Sequence, residues 1–225
     1  IIKESKDWFG NIIPEREEEP VSKSIVEKYF DVVDNTDEAD FAIVFIKSPN
    51  SVGYTKEDGY LPISLQYRPY TAIYSRKTSI AGGDPLESSI NRSYLGKTNY
   101  VSNENDLDII LETKKAMGDK PVIVSLNMTN PTIVGEFESK VDSIIVDFGV
   151  QTQAIMEIIS GKVNPSGLLP FNMPSNMETV EKQCEDVPHD MEVYVDEENH
   201  SYSFAYGMNF DGVINDERVR KYKIK

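Results

Sequence analysis

GKVNPSGLLPFNMP, residues 161–174, carries the strongest local signal in the chain. Gly161 reads as a helix stop, because glycine enters the left-handed region without a Cβ penalty. Asn164-Pro165-Ser166-Gly167 has the composition of a tight turn. Leu168-Leu169-Pro170 then begins an extended segment at a sheet edge, the one part of a sheet where proline is tolerated. Just upstream, Val150, Ala154, Ile155, Ile158 and Ile159 recur at helical spacing, which predicts a helix over 150–160 ending at Gly161.

Working further back, three short runs read as strands: 41–46 (FAIVFI), 121–127 (PVIVSLN) and 143–148 (SIIVDF). Each is continuously apolar and rich in β-branched residues, as expected of parallel strands covered on both faces. Helical spacing lies between them. Ile25, Val26, Tyr29, Phe30 and Val33 form one stripe over 21–34. A second helix opens at Asn103, turns Leu107, Ile110 and Leu111 inward and stops at Gly118. A third starts with Asn130 as cap and Pro131 at the first helical position, burying Ile133, Val134 and Phe137. This alternation is that of an α/β domain with a mostly parallel sheet. Ligands of such sheets sit beyond the carboxyl ends of the strands.

The chain has 225 residues, with 38 acidic against 23 basic side chains and a net charge of −15. Nucleic-acid and anionic-membrane surfaces need clustered Lys and Arg, so both partner classes are disfavoured. No apolar run reaches the roughly 18–20 residues of a membrane-spanning helix. Ile1-Ile2 is followed at once by KESKD, unlike a signal peptide. The first residue is not Met, which points to a processed precursor or a piece of a longer polypeptide. The length fits one domain over 1–225, with a long insertion at about 47–102 and a C-terminal extension at about 211–225. A lone Cys184 excludes an intrachain disulfide and a cysteine metal cage, and His189 and His200 match no zinc spacing. Neither a metal nor another cofactor is therefore expected.

The insertion holds Tyr54, Tyr60, Tyr67, Tyr70, Tyr74, Tyr94 and Tyr100 but no helical pattern and at most short strands. Disordered segments are poor in aromatics, so this loop is ordered or functional. Tyrosine suits stacking on sugar rings and equally suits packing a long loop onto its own domain, with packing the weightier reading. Gly82-Gly83-Asp84 is a turn rather than a phosphate-binding loop, and no G-x-S-x-G elbow occurs. Asp147 ends a strand as a receiver-type phospho-acceptor would. Receivers also need acids after the first strand, where this chain has KSPN.

The 161–174 stretch resembles the segment G-x-x-N-P-S-G-x-L-P-x-x-x-P of the C-terminal α/β-sandwich domain of glycoside hydrolase family 3. Three more features agree in order. Lys120-Pro121 followed by VIVSLNMTNP is similar to the family's K-P-V strand. Residues 141–148 with Gln151–Ala154 resemble its V-D-A-I-L strand and Q-x-x-A helix. FAYGMNF at 204–210 resembles its closing F-G-Y-G-L-S-Y motif. The resemblance covers roughly 39–210 and implies a three-layer α/β/α sandwich.

It further implies part of a retaining exo-β-glycosidase of β-glucosidase type, whose two carboxyl groups stand about 5–5.5 Å apart. The family's nucleophile and most sugar contacts belong to an N-terminal (β/α)8 barrel that this chain does not contain, so the chain alone should be inactive. Its implied partners are that barrel and a β-linked oligosaccharide or glycoside. In the family, the sandwich often supplies the acid/base from a G-E-x-Y loop. Here Ser51-Val52-Gly53-Tyr54 falls over that motif, and valine cannot transfer a proton. Glu57 and then Asp58 are the nearest carboxyls if the acid has moved within the loop; otherwise the barrel supplies it or hydrolytic function has been lost. Tyr54, Tyr60, Tyr67 and Arg68 are the candidate substrate contacts, with loop packing as the plainer role of each. His189 reads first as a surface or domain contact, and Met173 and Met177 as core or interface filler. A non-catalytic carbohydrate-binding or interaction module is the competing class. Secreted and periplasmic locations are compatible with the acidic composition, and neither is required by it.

Overall fold

The computed structural model of the chain describes residues 5–6, 11–15, 21–75, 93–184, 187 and 189–222. The expected turn at Gly82-Gly83-Asp84 lies outside them. In chain order come strands β1 (Ser5–Lys6) and β2 (Ile12–Ile13), helix α1 (Lys23–Val26), then strands β3 (Ala42–Lys47), β4 (Tyr54–Thr55), β5 (Gly59–Tyr60), β6 (Tyr70–Thr71) and β7 (Thr98–Asn99). Helix α2 (Asn105–Met117), β8 (Val122–Asn127), two 3-10 turns (Val134–Glu136 and Glu138–Lys140) and β9 (Ser143–Asp147) follow. The remainder is α3 (Thr152–Ile159), α4 (Met177–Lys182), the hairpin of β10 (Met208–Asn209) with β11 (Gly212–Val213), and α5 (Glu217–Tyr222).

The three apolar runs form one sheet in the order β3-β8-β9, all parallel, so the α/β reading holds. The register sets Val44 beside Val124 and Ile144, and Ile46 beside Leu126 and Val146. Val44, Ile46, Val122, Val124 and Leu126 are buried with Leu107, Ile110 and Met117 of α2, and with Val134, Phe137, Tyr67 and Met173. Side chains alternate across a strand, so Ile43, Phe45, Ile123 and Ile145 face the other way, and they are half-buried. Helices α1 and α3 lie against each other, with the Tyr29 hydroxyl donating to Glu157 Oε1 at 3.4 Å and Lys162 Nζ 4.3 Å above the Tyr29 ring.

Helix α2 follows its sequence signals. Asp106 and Asp108 sit in its first turn and Lys114 and Lys115 in its last, matching the helix dipole, and Gly118 at φ 61° ends it. Two expected helices do not form as such. Only Lys23–Val26 of the 21–34 stripe is helical, and Val32 and Val33 are exposed. Asp31 and Asp34 would oppose the dipole at that helix's end, and the β-branched pair between them lowers propensity further. The 131–137 segment makes 3-10 turns instead of an α-helix, with Gly135 at its centre. Its inward residues are nevertheless the expected ones, since Ile133, Val134 and Phe137 are buried. In α3 the helix starts two residues later than the spacing suggested. Met156 is fully buried, whereas Ala154 and Val150 are exposed.

The two most telling motifs touch. Leu169 N–H donates to Tyr206 O at 2.7 Å and Ala205 N–H to Leu169 O at 2.8 Å, so the extended segment after Gly167 pairs with the 204–210 motif. Asn164 Oδ1 accepts from Phe210 N–H at 3.0 Å. Gly207 passes so close to Gly167 that a Cβ there would lie 2.2 Å from Gly167 O. Turn and closing motif therefore form one structural unit.

Asp142 pins the start of β8, accepting from Val122 N–H at 2.8 Å and Lys114 Nζ at 3.1 Å. The Val122 N–H first, then Lys114, holds this carboxyl below the usual aspartate range. A depressed folded-state pKa contributes stability present above the unfolded value and lost as pH falls through the folded one. Asp142→Asn is expected to lose about 0.5–1 kcal/mol at pH 7 for this half-exposed group. Urea melts should show the gap to wild type closing as pH drops through the acid range below about 4.

Candidate functional site

The loop between β3 and α2 leaves the sheet at the carboxyl ends of its strands, and polar side chains cinch its neck. Asn103 Nδ2 donates to Lys47 O at 3.1 Å and Ser48 O at 3.2 Å, while Asn103 Oδ1 accepts from Asn50 N–H at 2.8 Å. Asp106 Oδ2 accepts from Lys47 N–H at 3.1 Å and from Asn103 Nδ2 at 2.9 Å. Burial raises the Asp106 carboxyl above the usual range, and the Lys47 N–H pulls it partly back. Ser48, nearly fully buried, lies 3.1 Å from Thr129 Oγ1 and donates to Asn130 Oδ1. The leaving and returning segments are thus held together at the neck of the loop.

Beyond the neck, β4 and β5 pair antiparallel across Lys56-Glu57-Asp58, with Gly59 at φ 72° closing the turn. Thr55 and Asp58 lock that turn, Thr55 Oγ1 donating to Asp58 Oδ2 at 3.1 Å and accepting from Asp58 N–H at 2.9 Å. Asp58 is therefore committed to the turn. Glu57 stands exposed at the tip, and its carboxylate makes no hydrogen bond among the described residues. Tyr54 and Tyr60 meet edge to face at 5.3 Å, with 50% and 36% of their surface exposed. Val52 is also exposed. Buried Asn99 straps this hairpin down, its Nδ2 donating to Val52 O at 2.8 Å and Pro62 O at 2.6 Å. Val52, Tyr54, Tyr60, Ile63 and Tyr100 consequently present apolar surface on a rigid support.

Tyr67 and Arg68 are not part of that face. Tyr67 is completely buried, 6.2 Å from the Phe137 ring, and its hydroxyl donates to Lys47 O at 2.7 Å. Burial, then Asp106 and Glu136, pushes its ionisation far up, so it stays a donor. The expected role of Tyr67 as a substrate contact gives way to core packing. The Arg68 guanidinium spans Glu104 at 2.9 Å and Asp108 at 2.6 Å, clamping the loop to α2. His189 lies exposed in a turn at φ 66°. Met173 and Met177 are buried, as core filler should be. Asp147 caps the turn after β9, its Oδ1 accepting from Asn127 Nδ2, Gly149 N–H and Val150 N–H at 2.7–3.2 Å.

Sequence reasoning missed the carboxylates that hold the loop from outside. Glu136 accepts from Tyr67 N–H at 2.6 Å and Arg68 N–H at 3.0 Å. Burial raises its pKa, and those two N–H groups offset part of the rise. Glu181 Oε2 accepts from Tyr70 hydroxyl at 2.6 Å, Ile73 N–H at 2.9 Å and Tyr74 N–H at 3.0 Å. No local pattern in GEF or TVEKQ announces either role.

A cavity of about 780 Å³ runs elsewhere, along the free edge of β9, with Ile144, Val146, Leu169, Tyr202 and Tyr206 in its wall. Glu138, also in its wall, accepts from the Tyr194 and Tyr202 hydroxyls at 2.8 and 3.0 Å. Burial, then Asp196 and Glu138, pushes the Tyr206 hydroxyl up to about 12. Among the described residues, none that lines it belongs to the tyrosine-rich loop. Among the described residues no group of three or more His, Cys, Asp or Glu is arranged to hold a metal ion, and no helix is long and apolar enough to cross a membrane.

Comparison with known proteins finds relatives among beta-glucosidases. The chain is 34% identical over 104 residues to a probable beta-glucosidase C of Aspergillus flavus, a stretch covering 44% of this chain and 16% of that protein. It is 27% identical over 97 residues to beta-glucosidase C of Emericella nidulans, covering 43% and 15%. It is 25% identical over 99 residues to a periplasmic beta-glucosidase/beta-xylosidase of Dickeya chrysanthemi, covering 44% and 15%. The matched stretch thus spans about one sixth of the length of these relatives. The model of the glycosyl hydrolase family 3 C-terminal domain matches residues 16–210, which contain the parallel sheet, the strapped loop and the paired motifs alike. The chain belongs to the glycosyl hydrolase family 3 C-terminal domain family.

Proposed function

We propose that residues 1–225 form one sandwich domain of a retaining β-glycosidase of β-glucosidase type, acting on β-linked oligosaccharides or glycosides. An N-terminal (β/α)8 barrel of the same polypeptide supplies the nucleophile and most sugar contacts. The family match over residues 16–210 carries this reading. The exposed side chains of Val52, Tyr54, Tyr60, Ile63 and Tyr100, with Tyr54 and Tyr60 in edge-to-face contact, support it, since such aromatic and aliphatic surface suits contact with a neighbouring domain or a sugar. Tyr54 and Tyr60 border the cleft in this reading, Arg68 holds their loop in place, and Glu57 at the hairpin tip is the loop's candidate proton donor.

The full-length protein is expected to turn over an aryl β-glucoside, and the 225-residue chain alone is not. Turnover by the isolated chain would refute the division of labour. In the full-length protein Glu57→Gln is expected to slow substrates with poor leaving groups far more than activated aryl glycosides. Equal loss on both excludes Glu57 as the acid. Val52, where the family carries glutamate, favours one other reading, a carbohydrate-binding module without catalysis. Saturable oligosaccharide binding with no turnover across a panel of aryl glycosides would establish it.

A further inference from the structure

Asn199-His200-Ser201 has the form Asn-x-Ser, the acceptor sequence for an N-linked oligosaccharide. The same form recurs at Asn91-Arg92-Ser93 and, with threonine, at Asn127-Met128-Thr129. Asn130-Pro131-Thr132 and Asn164-Pro165-Ser166 carry proline in the middle, which excludes them because it pushes the preceding asparagine into an extended conformation. Asn91 lies outside the described residues. The tertiary structure separates the two triplets that remain.

Asn127 ends β8, the central strand, which is hydrogen-bonded to β3 on one side and β9 on the other. Its Nδ2 donates to Asp147 Oδ1 at 2.7 Å, and Asp147 is buried. A sugar on that nitrogen would be driven against the carboxylate that caps the turn after β9. Asn199 stands instead at the tip of a tight turn. Val195 and Ser201 pair as an antiparallel bridge, Asn199 N–H donates to Asp196 O at 3.1 Å, and Asp196 N–H donates to His200 O at 3.1 Å. Asp196 Oδ1 accepts from Glu198 N–H at 3.0 Å and His200 N–H at 2.8 Å, while Asp196 Oδ2 lies 2.9 Å from His200 Nδ1. The φ of Asn199 is 67°, a left-handed value that asparagine tolerates. Asp196 thus fixes the backbone of the triplet without using its two reacting side chains. Asn199 and Ser201 are both exposed, and neither side chain makes a hydrogen bond among the described residues.

We propose that Asn199 is an acceptor site for N-linked glycosylation and that Asn127 is not. The donor is an oligosaccharide carried on a lipid diphosphate. Asn199 Nδ2 bonds to the anomeric carbon of the first sugar, and the bond from that carbon to the diphosphate oxygen breaks. The lipid diphosphate leaves with the electron pair, and the displaced amide proton passes to a base of the transferase. Such a modification is independent of any glycosidase activity. It places a bulky, solubilising group on an exposed turn, where it displaces no contact of the fold.

The test is peptide mapping, resolved site by site, of the full-length protein passed through the secretory pathway of a yeast, with material from cells and medium both mapped. Asn199 is expected to carry an oligosaccharide on most molecules, removable by an amide-cleaving glycosidase that leaves aspartate at that position. Asn127 is expected to be bare in the same molecules. Ser201→Ala, which keeps Asn199 and alters only an exposed hydroxyl, should lose the glycan at Asn199, and Ser201→Thr should keep it. A bare Asn199 in the wild type overturns the proposal. So does a glycan that persists in Ser201→Ala, or one found on Asn127 in protein that melts as the unmodified chain does.

Discussion

Gly207→Ala is expected to destabilise the fold by about 3 kcal/mol, the upper end of ordinary overpacking. The added methyl would stand 2.2 Å from the Gly167 carbonyl oxygen and 3.0 Å from Leu168 Cδ2, and the first of these is backbone that cannot rotate away. To admit it, the 164–170 turn must move off the 204–210 motif, which strains the paired bonds of Leu169 with Tyr206 and Ala205. For a chain of this size such a loss lowers the melting temperature by about 6–12 °C. Gly53→Ala is the control, because a methyl there meets nothing within 4 Å. Equal melting curves for Gly207→Ala and wild type would show that the two motifs are not rigidly joined.

Tyr67→Ala should cost about 4 kcal/mol, as expected for removing a fully buried aromatic ring. The ring packs in the core with Phe137 and the sheet residues Val44, Ile46 and Leu126. Tyr67→Phe should cost only about 1 kcal/mol, because Lys47 O keeps the Asn103 Nδ2 donor when the hydroxyl is gone. Urea denaturation of both variants checks the pair. In the full-length enzyme Tyr67→Phe is further expected to leave KM unchanged. A raised KM with an unchanged melt would return Tyr67 to the substrate surface.

Much of the frame was legible before any coordinates. The strands at 41–46, 121–127 and 143–148 and the helix ending at Gly118 depend on apolar runs, helical spacing and a glycine stop, all read within a few residues. The helices expected over 21–34 and 130–137 had the right inward residues in the second case but the wrong geometry in both. Periodicity reports which side is apolar, whereas the local backbone also answers to Asp31 and Asp34, to β-branched neighbours and to Gly135.

The site was legible in a different degree. Seven tyrosines in one loop pointed to an ordered or functional segment, yet nothing local distinguished Tyr54, half in solvent, from Tyr67, wholly inside. That choice belongs to partners distant in sequence: Glu136 holds Tyr67 N–H across 69 positions, and Glu181 holds the Tyr70 hydroxyl across 111. By itself, then, the sequence determined the parallel α/β frame, the family and the place of the loop, because these rest on short-range pattern and motif order. Only the tertiary structure decided which loop residues face outward, because a side chain's direction there is set by hydrogen-bond acceptors that folding brings in from other elements.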